Sequence, residues 1–190
     1  MADGEHEAVI IRELQAHDLP SVKAFTDQWI GENYYQLEEL SECLKFSQSK
    51  GLNASFLALD GEKIVGVRLT YAPGAWVEKA RGITPDKWES QKDQVAYFKS
   101  LFIHGDYQKR GIGKMLSDKS IGVLKELQAK AIVCHSWLES PGNSSQKYLM
   151  KMGFSEVAQH PKFWYPIDYE CTRCAPDRCI CTASEMIKFL

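Results

Sequence analysis

The sequence predicts an α/β (α+β) fold in one domain, and three observations carry that prediction. Apolar runs of strand length alternate with stretches of helical period, in the order β-α-α-β-β-β-α-β-α-β-β. Two of the runs flank Asp60-Gly61, a pair suited to a hairpin turn. A third run, Leu101-Phe102-Ile103, leads through a Gly-containing turn into the helical pattern Ile112, Met115, Leu116, Val123, Leu124, Leu127. A length of 190 residues suits a single domain over 1–190 and is enough to bury a core.

Each element has its own signal. Ala8-Val9-Ile10-Ile11-Arg12-Glu13-Leu14 reads as the first strand. Asp18, followed by Leu19 and Pro20, marks a helix start, because Pro is tolerated in the first turn; the helix is expected over 19–30. A second helix is expected over about 34–49, stopped by Gly51. Ser55-Phe56-Leu57-Ala58-Leu59 and Lys63-Ile64-Val65-Gly66-Val67-Arg68-Leu69 form the hairpin around Asp60-Gly61. Residues 72–92 hold Pro73, Gly74, Gly82 and Pro85 among charges and two Trp, which predicts a long connection with one short helix near Pro85-Asp86-Lys87-Trp88. Loops of this length are often functional. A strand from Val95 to Ile103, a helix over 111–128 and a strand from Ala131 to Trp137 follow. Asn143 or Ser144 caps a helix that ends at Gly153; Phe154 opens another strand, and Ser184-Glu185-Met186-Ile187-Lys188-Phe189 is the last.

Composition excludes several classes. A 44% hydrophobic and 25% charged fraction is that of a soluble globular protein. A net charge of −2 argues against a nucleic-acid binder with a broad basic face. The first twenty residues carry Asp3, Glu5, Glu7, Arg12 and Glu13 with no apolar core of signal-peptide length, and no run is long enough for a membrane span. The expectation is a cytoplasmic protein, monomer or homodimer, with neither nucleic acid nor membrane as a partner.

The most telling stretch is Gln108-Lys109-Arg110-Gly111-Ile112-Gly113. It lies where a strand turns into a helix N-terminus, whose first N–H groups lack intrahelical partners and whose dipole is positive. Both favour a phosphate. Gly111 and Gly113 remove side chains that would hold a pyrophosphate away from those groups, and Lys109, Arg110 and Lys114 add positive charge. A P-loop would need Gly where Gln108 stands and Ser or Thr where Met115 stands. A dinucleotide fingerprint would need Gly in place of Leu116. What fits is the Gln/Arg-x-x-Gly-x-Gly/Ala signature: the stretch resembles that of the GCN5-related N-acetyltransferases, the GNAT family. The segment Ser144-Ser145-Gln146-Lys147-Tyr148-Leu149-Met150-Lys151-Met152-Gly153-Phe154 resembles the family's later helix, and the element order matches from end to end.

That resemblance implies a mixed, mostly antiparallel sheet splayed around an acetyl-CoA slot, with helices on both faces. It implies an acetyltransferase that moves an acetyl group directly to a primary amine, on a small molecule, a peptide or a protein. Backbone N–H groups near Phe102 and Ile103 would bind the pantetheine and polarise the thioester carbonyl. The backbone of 108–114, from Gln108 through Ile112 to Lys114, would hold the pyrophosphate, and Asn143 and Ser145 would line the pantetheine path. The amine, with a free-lysine pKa of about 10.4, needs a base. His104, His135 and Glu139 are candidates, and no motif assigns the role. The family commonly protonates the departing thiolate from a Tyr four residues before the Gly-Phe pair, where this chain has Leu149. Tyr148 precedes it, rotated by about 100° around the helix; it is either the candidate general acid or a packed aromatic.

Cys171, Cys174, Cys179 and Cys181 form C-x2-C-x4-C-x-C in a Cys-rich loop at 166–183, between the last two strands. Four thiolates at this spacing suit tetrahedral structural zinc; free thiols and disulfides are the alternatives. Cys43 and Cys134 sit among apolar neighbours, as packing residues do. Trp76, Trp88, Trp164 and Tyr165 either line an acceptor pocket or cover the core. Two other functions compete with transfer: a non-catalytic CoA-binding regulatory module, for which Leu149 speaks, and a zinc-dependent interaction module, against which the lack of flanking basic runs speaks.

Overall fold

A computed structural model describes residues 8–74 and 76–190. Strand β1 (Ile10–Glu13) is followed by helix α1 (Leu19–Trp29), helix α2 (Leu37–Ser47), and a two-stranded ribbon of β2 (Gln48–Ser49) and β3 (Leu52–Asn53). Then come β4 (Phe56–Asp60), β5 (Lys63–Tyr71), β6 (Val95–Ile103), α3 (Ile112–Glu126), β7 (Ala131–Trp137), α4 (Ser144–Lys151), β8 (Ser155–His160) and β9 (Ala183–Phe189). The seven-stranded sheet has the order β1-β4-β5-β6-β7-β9-β8, and only β6 and β7 run parallel.

The expected order of elements is present, with three local differences. The second helix stops at Ser47 rather than near 49, because Lys50 (φ 50°) and Gly51 (φ 77°) reverse the chain between β2 and β3. The first helix begins where expected, but the Asp18 carboxylate does not cap it. It accepts instead from the Arg12 guanidinium, at 2.7 Å to each oxygen, and from the Gln15 N–H. The connection over 72–92 holds three single-turn helices, at Val77–Lys79, Pro85–Lys87 and Lys92–Gln94, where one was expected.

Helices α1 and α2 cover one face of the sheet. Val22, Phe25, Leu40 and Leu44 pack there on Leu57, Val67 and Leu69. The helices α3 and α4 cover the other, where Leu116 meets Ala58, and Leu124 and Leu149 join Phe98 and Ile132. The long connection is pinned by buried polar bonds. Trp76 and Trp88 are 2% and 0% exposed, so they serve the core and do not line a pocket. The Trp76 indole donates to the Val95 carbonyl at 2.8 Å. Glu185, buried on β9, accepts from the Trp88 indole (2.7 Å), the Thr84 N–H (3.0 Å), the Thr84 hydroxyl (2.9 Å) and His160 Nε2 (2.8 Å). Burial alone would raise the Glu185 pKa; these donors outweigh it and hold the carboxyl below its ordinary value. Among the described residues no helix is long and apolar enough to cross a membrane.

The sheet departs from regular pairing at two places along β6. β6 pairs with β7 only over residues 95–98 against 131–134. Beyond Phe98 the two strands part, and β7 continues against β9 alone. The β5–β6 ladder matches Leu69 with Ser100 and Thr70 with Phe98, which leaves Lys99 as the extra residue of a bulge.

Candidate functional site

Where β6 and β7 separate, a cavity of about 580 Å³ opens. Residues 98–103 form one wall, and past Phe98 their backbone groups on the β7 side have no strand partner. Gln108, at the end of that wall, leads into the Gly turn. Gly111 is the N-cap of α3 with φ 80°. A Cβ there meets nothing within 4 Å, so glycine is required by backbone conformation rather than by space. At Gly113 a Cβ would lie 3.3 Å from Leu101 and 3.6 Å from the Tyr148 hydroxyl, so this glycine lets α3 sit close to β6 and α4.

Of the expected cosubstrate contacts, the cavity brings together Phe102, Ile103, Gln108 and Ser145. The Ser145 hydroxyl accepts from the Trp137 N–H at 3.3 Å, holding the start of α4 against β7. Lys109, Arg110, Gly111, Gly113 and Lys114 lie beyond the lining, on the turn and first helical residues after Gln108. Ile112, the first residue of α3, is buried on its inner face. Arg110 lies over the Tyr107 ring, and Lys114 is paired with Asp118 at 2.6 Å. Asn143 is outside the lining, with φ 54°; its amide donates to Gln146, while its buried Oδ1 has no partner.

The base candidates separate. His104 caps a turn by accepting the Asp106 N–H at 3.2 Å and packs on Trp29. Glu139 accepts the Thr182 N–H with both oxygens at 3.0 Å. Only His135 of the three lines the cavity. It stacks on Phe163 and bonds the Gly82 carbonyl through Nε2 and the Tyr97 hydroxyl through Nδ1, the latter at 2.7 Å. A carbonyl only accepts, so Nε2 carries the hydrogen and the Tyr97 hydroxyl donates to Nδ1. Burial pushes the His135 pKa down to about 4 and holds the ring neutral.

Tyr148 also lines the cavity, and it ends a directed chain. Its hydroxyl donates to the Gly113 carbonyl at 2.8 Å and accepts from the Ser117 hydroxyl at 2.9 Å. Ser117 in turn accepts from Arg68 Nη2 at 2.7 Å. Arg68, 3% exposed, lies over the Phe98 ring and has no carboxylate partner among the described residues. Its Nε is buried without a partner, and burial pulls its pKa down to about 10. Leu149 packs in the core among Phe98 and Phe154 while its side touches the cavity.

Arg68, Tyr97 and Lys99 also line the cavity, and none of them belongs to a motif of the sequence. The signal was available for Arg68 and Lys99, because each is a lone cation inside an otherwise apolar strand run.

The four cysteine sulfurs lie within 4.8 Å of one another, with Cys174 and Cys181 at 3.6 Å and no disulfide among them. Cys174 N–H and Ala175 N–H both return to the Cys171 carbonyl, the tight turn that aims two sulfurs at one point. Burial raises the Cys171 thiol, but N–H groups of Arg173 and Cys174 outweigh it and bring it down to about 7; burial pushes Cys181 up to about 12. The Trp137 indole N–H is buried without a conventional partner and faces the Cys181 sulfur. A donor left for a thiolate is what a four-sulfur metal set requires, so the residues fit zinc. Trp164 and Tyr169 pack on the cluster, and they line the cavity together with Cys171 and Thr172. Tyr165 is exposed and takes no part.

A sequence profile of the acetyltransferase (GNAT) family matches residues 11–154. No curated protein matches the chain significantly. Among solved structures, it is similar to Ard1 from Thermoplasma volcanium (13% identity, TM-score 0.68, covering 96% of this chain and 98% of that one). Arabidopsis thaliana Naa50, solved with the bisubstrate analogue CoA-Ac-MVNAL, is similar at 14% identity and TM-score 0.67, covering 96% and 99%. Chaetomium thermophilum Naa20, also in complex with a bisubstrate analogue, is similar at 15% identity and TM-score 0.69, covering 96% and 87%. At these identities the likeness is one of fold.

Proposed function

Because the chain belongs to the acetyltransferase (GNAT) family, matched over residues 11–154, we propose that it moves an acetyl group from acetyl-CoA directly to a primary amine on a small molecule, peptide or protein. The observation that carries this reading is the open edge of β6 past Phe98, ending in the Gly turn at the start of α3. An extended pantetheine arm can fill the missing β7 pairing as a strand would, with its pyrophosphate on the N–H groups of 108–114. Acetyl-CoA supplies an activated acyl group, and the protein supplies position and charge. On the open edge the Leu101 and Ile103 N–H groups, which point away from β5, are fixed dipoles for the oxygen that becomes negative during attack, with Phe102 between them paired to β5.

The amine enters from the α1–α2 side, where the Tyr97–His135 pair is the proton-accepting group on the wall. Tyr97 receives the amine proton as it passes its own to Nδ1, so Tyr97 stays neutral and His135 becomes the imidazolium, its Nε2–H held on the Gly82 carbonyl. On the opposite face Tyr148 turns its proton from the Gly113 carbonyl to the leaving sulfur. The phenolate that remains is stabilised by the Ser117 hydroxyl, behind which stands the buried Arg68 cation. Zinc in the Cys171–Cys174–Cys179–Cys181 set would be structural, since four sulfurs leave no coordination position open. It would brace the wall formed by Trp164 and Tyr169. The sheet takes strands from both ends of the described chain, which supports reading 1–190 as one domain.

Thiol release from acetyl-CoA in the presence of an amine panel tests the function. Release that depends on both acceptor and protein is expected. Release with no acceptor, together with tight CoA binding, would favour the non-catalytic module.

A further inference from the structure

The cavity contains a charge that transfer chemistry does not use. No Asp or Glu lines it, while two cations do, Arg68 and Lys99. Arg68 faces α3 and is engaged by Ser117 and Phe98. Lys99 faces the other side. As the extra residue of the β6 bulge it is turned out of the normal alternation, towards the α1–α2 face that also receives Tyr97 and Ser100. Its ammonium lies 5.9 Å from the centre of the Tyr35 ring and makes no hydrogen bond or ion pair among the described residues.

Glu39 and Glu42, the acidic groups whose fields reach Lys99, make their direct contacts elsewhere. Glu42 pairs with Lys79, and Glu39 accepts the Gln36 N–H at the start of α2. Arg81, over the Phe163 ring, adds a second positive charge behind the cavity wall. Burial lowers the Lys99 pKa, with Arg81 acting in the same direction and Cys43, Glu39 and Glu42 partly opposing it. Lys99 is half-buried in the cavity wall, where an ammonium with no ion-pair partner is less favourable than one in open water. An anionic group on the bound acceptor relieves it, and a polycationic acceptor aggravates it.

We propose that Lys99 is a specificity-determining residue that selects a peptide acceptor carrying a side-chain carboxylate next to its reacting N-terminal amine. A cavity of about 580 Å³ has room for the end of a peptide, and Tyr97 and Lys99 both line it. With the N-terminal amine at Tyr97, an Asp or Glu side chain at the second position is placed to meet the ammonium that the bulge turns into the cavity. Competition by free glutamate separates this acceptor from a free amino acid. Trp29, Tyr34, Trp164 and Tyr169 supply an aromatic surround for the aliphatic part. The inference rests on the acetyl-transfer reading for the location of the amine.

The test uses the full chain loaded with CoA, which holds the slot without reaction. Calorimetry compares two short peptides that differ only by Glu or Gln at the second position. A hydrogen-bonded ion pair in a half-buried site predicts about tenfold tighter binding of the Glu peptide. Lys99→Gln should erase that preference while leaving the Gln peptide unchanged; Lys99→Arg should restore it, and Lys99→Glu should reverse it towards a Lys peptide. With acetyl-CoA the same pattern should appear in KM rather than kcat. Binding of the two peptides within twofold by the unaltered protein overturns the proposal, as does competition by free glutamate equal to the Glu peptide. If the Glu preference is present and no peptide is acetylated, the transfer reading fails and the Lys99 assignment stands. If both peptides are acetylated equally, the reverse holds.

Discussion

Replacing Arg68 by Met should lower kcat while leaving the fold as stable as before or more so. Arg68 carries a charge 3% exposed, with one hydrogen bond to Ser117, a ring contact to Phe98 and a buried Nε that bonds nothing. A buried cation without a carboxylate is weak support for stability, and an apolar side chain of similar volume is often neutral or better by about 1–4 kcal/mol. The catalytic consequence has the opposite sign. Without Arg68 the Ser117–Tyr148 chain loses the cation behind it, so the phenolate left by proton donation is less stabilised. A hydrogen bond to a charged group contributes about 1.5–3 kcal/mol, which predicts a fall in kcat of roughly 10–150-fold. Tyr148→Phe, which removes the proton itself, should cost about 10²–10⁴. The double variant should be no slower than Tyr148→Phe alone, because both changes act on one step. Thermal melts and steady-state kinetics on the three proteins decide the matter. Unchanged kcat in Arg68→Met, or additive losses in the double variant, would refute the chain from Arg68 to the sulfur.

Gly111→Val forces a β-branched residue to φ 80° and should weaken acetyl-CoA binding strongly with little change in far-UV circular dichroism; calorimetry giving native affinity would exclude the turn as the phosphate site. His135→Phe should lower kcat by about 10²–10⁴, the range of general-base effects, with acetyl-CoA affinity retained. Glu185→Gln should destabilise the fold by about 1–3 kcal/mol at neutral pH. Because the folded pKa of Glu185 is depressed, its ionised form adds stability above the unfolded value of about 4.3, and that contribution disappears as pH falls through the lower folded value. Urea unfolding at pH 7 and at pH 4 or below should therefore show the two proteins converging in acid; a constant gap would reject the linkage. Protein purified without chelators should contain about one zinc per chain, and its removal should loosen 166–183 and weaken acceptor binding without unfolding the sheet; a metal content near zero would remove zinc from the account.

Much of the fold was legible because its signals are local. Strand and helix periods, Asp60-Gly61 and the Gly turn each act within a few residues, and each element expected from them is present. The Cys spacing likewise brings four sulfurs together because the loop is short. What escaped depends on register and on neighbours far along the chain. The bulge that turns Lys99 towards α1 and α2 leaves no mark on hydrophobic period, since one extra residue only resets the alternation. Trp76 and Trp88 looked able to line a pocket because nothing near them in sequence announces Val95 or Glu185 as partners. Tyr97 and His135 lie on adjacent parallel strands, 38 positions apart, and only strand pairing reveals that they share a hydrogen bond. The two-stranded ribbon after α2 was hidden by Lys50, which adopts φ 50° without being a Gly or Asn.

Amide hydrogen exchange with and without acetyl-CoA tests the central claim most directly, that the cosubstrate takes the open edge of β6 and the Gly turn. The account predicts slowed exchange at Leu101 and Ile103, whose N–H groups point away from β5, and at the N–H groups from Gly111 to Lys114, with the paired stretch from Val95 to Phe98 unchanged. Exchange that is unaltered at both places, or protection confined to another surface, would contradict it.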